Sequence, residues 1–291
     1  MMQYRYSISY VLMTALSLVI IHRVSFRIDP FLSLSVCSFM AALIFHFLNL
    51  KKIKPIYKAA WRHKKQWFLI MLWVSLMWIA TFLGSAINTA LFILIYFTTN
   101  CLLGFINKTK KAASQQKRIL IFSLTGLIAT TAFYLYIQLT PNNTLKNWEL
   151  IGFGMLGGLC NYLYQAESYK FSQTSFLSAT AILAIRFWLL ILFSLLLTPF
   201  AAFTQLSFPN DILLLILIAL LSLVIPIYAG QKGVLALGPE LNAIICGFTP
   251  AATYLFGLLF SSQDFELSPL LLNLSAAFFL GLPFLWQLRR K

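Results

Sequence analysis

Residues 212–230 read ILLLILIALLSLVIPIYAG, nineteen residues without a charge. As a helix this stretch is about 28 Å long, the depth of a bilayer's hydrocarbon core. A helix on the surface of a soluble protein keeps one polar face, and only the core of a large protein or a membrane accommodates one without it. This one is apolar all round, which is the pattern of a segment solvated by lipid.

The rest of the chain repeats that pattern. Hydrophobic residues make up 60% of 291 and charged residues 10%, where soluble domains run at roughly 45–50% and about 25%. Mean hydropathy is +0.84. Backbone groups in lipid must be satisfied within the segment, so unbroken apolar runs of this length specify helices, whereas outer-membrane strands alternate polar and apolar residues. Runs bounded by charges or by Pro, Gly and Asn clusters predict spans at Tyr6–Ile21, Pro30–Leu50, Trp67–Leu83, Thr89–Ile106 and Ile119–Leu139. After the turn-rich Thr140-Pro141-Asn142-Asn143 they continue at Trp148–Tyr164, Thr174–Leu197, Ile212–Gly230, Leu241–Phe260 and Pro269–Trp286. The expected fold class is thus an all-α polytopic membrane protein of ten transmembrane helices.

Charge sets the expected orientation. The formal net charge is +15, which in a soluble chain would suggest nucleic acid, but here Lys and Arg cluster between the apolar runs. With both ends inside, eighteen of the 22 basic residues fall in inside segments and three, Arg23, Arg27 and Lys146, outside, as the retention of basic loops in the cytoplasm demands. Arg186 is left within a span. No small-residue cleavage site follows the first apolar run before His22, so it is expected to remain as an uncleaved span. These features predict a multi-pass protein of the bacterial inner membrane, with the lipid bilayer as partner and no nucleic-acid partner. Trp61, Trp67, Trp148 and Trp286 stand near helix ends, where an indole suits the headgroup level. The basic segment Lys51–Lys65, interleaved with Ile53, Ile56, Tyr57 and Trp61, fits the cytoplasmic surface of the membrane. Cys37, Cys101, Cys160 and Cys246 lie within spans, without a CxxC pair or a nearby His, and read as small apolar residues rather than metal ligands.

Five spans on each side of Pro141 divide the chain into halves at 1–140 and 141–291. The second half begins on the opposite face from the first, so a repeat between them has inverted topology, as in many transporters. A local echo aligns Asn88-Thr89-Ala90-Leu91 with Asn242-Ala243-Ile244-Ile245, each preceded by a short turn, Gly84–Ile87 and Gly238–Leu241.

Two further segments carry a family resemblance. Tyr228-Ala229-Gly230, Leu235-Ala236-Leu237-Gly238-Pro239 and Thr249-Pro250-Ala251-Ala252 resemble the eighth-to-ninth-helix signature of the EamA-like members of the drug/metabolite transporter superfamily, and Ala184-Ile185-Arg186-Phe187 resembles that family's Leu-Arg-Phe element. The resemblance implies ten helices in two inverted five-helix halves, N-in and C-in. It also implies alternating access around a substrate held among the first, third, fourth, sixth, eighth and ninth spans.

Candidate substrate-binding residues follow from polar or aromatic side chains at membrane depth. Arg186 sits mid-span, where exposure to lipid costs at least about 2.5–3.5 kcal/mol. It therefore faces either a substrate carboxylate or phosphate, or the carbonyls and hydroxyls of neighbouring helices. Asn161 and Gln165, four residues apart, share one face of the sixth span near its predicted cytoplasmic end. Trp73 and Trp78 lie deeper than an interfacial belt requires and suit either an aromatic wall or helix packing. Tyr96 and Asn100 in the fourth span match Thr249, Pro250 and Tyr254 in the ninth, where Pro250 would interrupt the helical ladder and free a carbonyl.

The function expected is transport of a small metabolite, an amino acid or similar polar solute, with export preferred. Asp29, Glu149, Glu167, Asp211, Glu240, Asp264 and Glu266 all map to loops or helix ends, so a uniporter or exchanger is expected rather than a proton-coupled pump. Uptake of a nucleotide-like solute such as S-adenosylmethionine is the alternative cargo. A lipid-modifying enzyme or a non-transporting helper subunit is the alternative class. No HExxH, paired-Asp or Ser/His/Asp set and no GxxxxGK[ST] loop occurs, so neither catalysis nor ATP-driven pumping, and no cofactor or metal, is expected.

Overall fold

The computed structural model describes residues 4–24, 28–138, 144–200, 202, 210–260 and 267–288. Among these every regular element is a helix. Six segments are long and apolar enough to cross a membrane: Pro30–Leu48, Lys64–Lys111, Ser114–Ile137, Ala179–Leu197, Asn210–Leu237 and Pro239–Leu259. Large apolar side chains such as Phe122, Phe133, Leu196 and Leu259 point outward, an arrangement that lipid tolerates and water penalises. The protein is all-α, built from the helices a polytopic membrane protein requires.

Helices α1 (Arg5–Val24) and α2 (Pro30–Leu48) open the chain. Asp29 caps α2 by accepting a 2.9 Å bond from the Leu32 amide, and Pro30 fills the first helical position, where its missing N–H costs nothing. After a 3₁₀ turn at Leu50–Lys52, α3 (Ile53–Arg62) buries Ile56 and Ala60 and exposes Lys54, Lys58, Trp61 and Arg62. That is the amphipathic surface segment its basic residues predict.

Tyr57 pins α3 to the body, its hydroxyl lying 2.9 Å from His46 Nε2 and accepting a 2.7 Å bond from Trp188 Nε1. His46 Nδ1 is 2.7 Å from the Ala42 carbonyl, which can only accept, so Nδ1 carries the proton and Nε2 accepts from Tyr57. Burial pushes the Tyr57 phenol above its ordinary pKa, with the Trp188 N–H pulling the other way.

Helix α4 (Lys64–Lys111) spans 48 residues, about 72 Å of rise and more than twice the bilayer core. It is two helices joined at Asn88, whose backbone is extended (φ −158°, ψ 106°) and whose side-chain oxygen accepts from Leu91 N at 3.1 Å. The expected turn at Gly84–Ile87 shrinks to this one residue because Asn88 caps the second helix by itself and no proline stands nearby to lengthen the break.

Helix α5 (Ser114–Gln138) is followed by α6 (Thr144–Ser175). The Pro141 turn lies outside the described residues. Helix α6 runs eleven residues beyond Tyr164, where sequence reading ends it, since residues 165–175 contain neither Gly nor Pro. Phe176, with φ 57°, turns the chain instead. Asn161 and Gln165 consequently stand in the middle of α6, not near its end.

The predicted span Thr174–Leu197 starts later, at Ala179, and breaks at Arg186 and Phe187 into α7 (Ala179–Ile185) and α8 (Trp188–Leu197). The Ile185 carbonyl at this break accepts from Trp67 Nε1 at 2.9 Å. Trp67 thus satisfies a broken ladder rather than serving only as an interfacial anchor. Trp61 and Trp148 are exposed, and the Trp286 side chain lies outside the described residues.

Helices α9 (Asn210–Ile218) and α10 (Ile225–Leu237) join through one π turn at Ala219–Val224. Pro226 lacks the N–H that would bond the Ser222 carbonyl, which favours the wider turn before it. Gly238, at φ 80° and ψ 163°, occupies backbone space open almost only to glycine and redirects the chain into α11 (Pro239–Cys246). A second break at Gly247 and Phe248 precedes α12 (Thr249–Phe260), and α13 (Leu267–Leu288) ends the described chain. Pro250 is the second residue of α12, a position that tolerates proline. It lacks the N–H that would bond the Cys246 carbonyl, so the predicted span Leu241–Phe260 breaks just before it, at Gly247 and Phe248, and the Thr249 hydroxyl takes up that carbonyl at 2.7 Å.

The tightest helix pair is α4 with α6. A Cβ built on Gly154 would lie 2.7 Å from Ile95 Cβ, and one on Gly158 2.7 Å from Thr99 Cβ, so two glycines four residues apart let the backbones touch. We expect Gly158→Ala to cost about 1–3 kcal/mol through overpacking. Gly152→Ala, facing open space within 4 Å, is the matched control, and a thermal unfolding midpoint lowered only by Gly158→Ala checks the assignment. Helices α5 and α13 pack on each other at the periphery.

Candidate functional site

A cavity of about 710 Å³ lies among the helices. Its wall draws on α1 (Tyr10, Thr14), both parts of α4 (Trp78, Tyr96), α6 (Asn161, Gln165), the α7–α8 break (Arg186), α10 (Gln231) and α11 (Asn242, Cys246). Among the described residues, peripheral α5 and α13 contribute none to it. At one end stand Asp29, Pro30, Ser85, Thr89 and Pro199, all at helix ends on one face of the bundle. At the other end Ser7 Oγ donates to Asn242 Oδ1 at 2.6 Å, Asn242 Nδ2 donates to Gln165 Oε1 at 2.8 Å, and Gln165 Nε2 donates to Asn100 Oδ1 at 3.2 Å. This chain of buried amides ties α1, α4, α6 and α11 together beneath the cavity. Beyond it, on the basic face, Lys111 pairs with Glu240 at 2.6 Å and Asn107 donates to the Tyr162 hydroxyl at 2.9 Å. The Lys111 side chain is 72% exposed, so this ion pair contributes less than about 1 kcal/mol.

Arg186 dominates the wall. It is 1% exposed and enters the cavity where its own helix is broken. One terminal nitrogen, Nη1, donates to the Tyr164 hydroxyl, and the same hydroxyl donates to Gln231 Oε1. Arg186 can only donate, so Tyr164 must pass its proton to Gln231, and this fixes the Gln231 amide with Nε2 as a free donor. The guanidinium also lies 4.8 Å from the Tyr164 ring centroid and 4.6 Å from that of Phe187, a cation–π sandwich that offsets part of its desolvation. Its Nε and Nη2, Gln231 Nε2 and Trp78 Nε1 have no hydrogen-bond partner.

Of the residues predicted from sequence, Trp78, Tyr96, Asn161, Gln165 and Arg186 line the cavity. Asn100 is one layer behind, bonded to Gln165. Trp73 packs into the apolar core between α2, α4 and α6 and does not reach the wall. Thr249 is buried with its hydroxyl on the Cys246 carbonyl at 2.7 Å, and neither it nor Pro250 nor Tyr254 lines the cavity. All three follow Cys246 in α12, a helix that packs against α1, and none of their side chains joins the wall. Sequence reading missed Tyr10, Tyr164, Gln231 and Asn242, although Gln231 and Asn242 are polar residues set in apolar runs and carry the same signal as Asn161. Asp29, expected at a loop or helix end, caps α2 and stands at the cavity mouth. The four cysteines are buried free thiols, and no cluster of three metal-ligating side chains occurs among the described residues.

No family model matches this chain, and no curated protein does. Among solved structures 22 chains match. One crystal structure of a protein aligns with a TM-score of 0.70 over 98% of each chain at 10% sequence identity. At that identity the likeness is one of fold alone.

Proposed function

We propose that this chain is a carrier of the drug/metabolite transporter type, with ten spans arranged as two inverted five-helix halves, N-in and C-in, in a bacterial inner membrane. The observation that carries the reading is the cavity. A carrier needs a site reached from one face and sealed at the other, lined by elements from both halves, and residues 4–138 and 144–260 both supply its wall. The fold has paired breaks where such halves would pivot. Asn88 interrupts α4 at the entry to the fourth span, and Gly238 redirects the chain at the entry to the ninth, both within the segments paired by the sequence echo, where Asn88 aligns with Asn242 and Gly238 with Gly84. Helix breaks at depth are tolerated only where they line a cavity or pack against protein, and the one at Arg186 lines it. In the N-in topology the open end faces outward and the amide chain closes the cytoplasmic side.

The cargo in this reading is an amino acid or similarly small polar metabolite, moved by alternating access without catalysis. Proteoliposomes containing only the purified chain should exchange labelled amino or organic acids across the membrane faster than protein-free vesicles. Uniport or exchange further implies that this flux persists when an ionophore collapses the pH gradient. Flux equal to that of empty vesicles across the whole metabolite panel would end the carrier reading.

A further inference from the structure

The cavity wall is unbalanced in charge. Arg186 is its one cation among the described residues, and its one carboxylate, Asp29, stands at the mouth with an oxygen already engaged by Leu32 N. Asp29 is eight residues from Cys37, the α2 residue that lines the deeper wall, or about 12 Å along the helix axis. The buried groups left without a partner around Arg186 include its own Nε and Nη2 and Gln231 Nε2, all donors, and the nearby acceptors are neutral hydroxyls such as those of Tyr10 and Tyr96. A buried guanidinium keeps its proton and demands an anion, and its Nε and Nη2 form one edge of a planar fork that matches two carboxylate oxygens. Tyr164 holds that fork by Nη1 and fixes Gln231 beside it. The remaining wall is apolar and aromatic, with Trp78, Phe82, Phe92 and Phe97.

We infer that this cavity binds organic monoanions: a carboxylate seated on Arg186 and Gln231, carrying an apolar or aromatic body and no ammonium group beside the carboxylate. One positive charge without a second lysine or arginine suits one negative charge and undercompensates a phosphate dianion. An α-amino group, about 3 Å from its own carboxylate, would sit beside the Arg186 and Gln231 donors with no carboxylate but Asp29 at the mouth to balance its charge. The inference rests on the carrier reading for the cavity's role and narrows its cargo from amino acids and their like to simple carboxylic acids.

The test is calorimetric binding to the purified full chain in detergent at low chloride. The probes are 3-phenylpropanoate, its primary amide, phenylalanine and 2-phenylethylamine, with parallel indolyl and isobutyl series. In at least one series the acid should bind ten times or more tightly than its amide and than the amino acid, and the amine weakest of all. An amide, amino acid or amine equal to its acid in every series, or no acid bound in any, overturns the inference.

Gln231→Glu then locates the site. Glutamate keeps the acceptor for Tyr164 and places a resident carboxylate beside Arg186, so acid binding should fall at least tenfold while the unfolding midpoint holds or rises. Undiminished acid binding to folded Gln231→Glu would remove Arg186 and Gln231 from the site. The carrier reading fails separately: acids that bind but never cross proteoliposomes sink transport and leave the site, whereas flux confined to amines or amides sinks the anion site and leaves transport.

Discussion

Replacing Arg186 by methionine is expected to reduce flux at least tenfold while leaving the unfolding midpoint unchanged or higher. The two halves of that result come from the same geometry. Truncating one partner of a buried charge-assisted pair costs about 2–5 kcal/mol in binding, and each 1.4 kcal/mol is a factor of ten, so a carboxylate that docks on Arg186 loses from tens-fold to a few thousand-fold. Stability moves the other way. The guanidinium is 1% exposed, has no ion-pair partner among the described residues and leaves Nε and Nη2 unbonded, a burial cost that Tyr164 and the two rings compensate only in part. Methionine fills a similar volume without that cost. Tyr164 loses a donor but keeps its own bond to Gln231, so no polar atom is newly stranded. A purely structural arginine predicts the opposite, because its loss would unpair the groups it holds. Unfolding curves and proteoliposome flux on one preparation separate the two. A midpoint lowered by more than about 5 °C with flux retained would make Arg186 a scaffold residue.

Much of this architecture is written in local chemistry. The span at 212–230 is legible because nineteen uncharged residues admit no other solvent than lipid. Asp29 and Pro30 mark the start of α2 for the same reason they cap it. Of the breaks at Arg186 and Gly247, the first was not legible, since no proline stands near it and a tertiary partner sustains it, while Pro250 announces the second. Trp67, 118 residues distant from Ile185, takes up the carbonyl that the first one frees. The extension of α6 beyond Tyr164 was hidden too, because a polar stretch such as residues 165–175 is read as a loop when hydropathy is the guide. Site residues divide on the same line. Polar side chains four apart on α6 declare a shared face, so Asn161 and Gln165 emerge from spacing alone. Tyr164 owes its place to Arg186 and Gln231, 22 and 67 residues away, and Trp73 and Trp78 are indistinguishable in sequence although only Trp78 meets the cavity. The glycine pair Gly154 and Gly158 is visible as a small-residue spacing, but what it admits, the backbone of α4, is known only from the packed structure.

Removing the side chain of Asn242 should both destabilise the protein and open the deep end of the cavity. Asn242 is 1% exposed and joins three helices, accepting from Ser7 and donating to Gln165, with Cys246 Sγ 3.6 Å from its amide nitrogen. Asn242→Ala strands a hydroxyl on α1 and an amide oxygen on α6, and each buried polar group left unsatisfied costs about 1–3 kcal/mol. The expected loss is therefore about 2–6 kcal/mol, read as a lower unfolding midpoint. The second consequence is directional. With Cys37, Cys101 and Cys160 changed to serine, Cys246 is a single reporter at the cavity floor. In the parent an impermeant maleimide should reach it from the open face and not from the basic face, where the amide chain and the Lys111–Glu240 pair intervene. In Asn242→Ala labelling from the basic face should rise severalfold, because the weak surface pair cannot hold the seal by itself. Glu240→Gln, which removes only that pair, should leave labelling close to the parent. Equal labelling from the basic face in parent and Asn242→Ala would show that the amides do not form the barrier, and the seal would then have to be sought in the apolar contacts of Phe105 and Ile244.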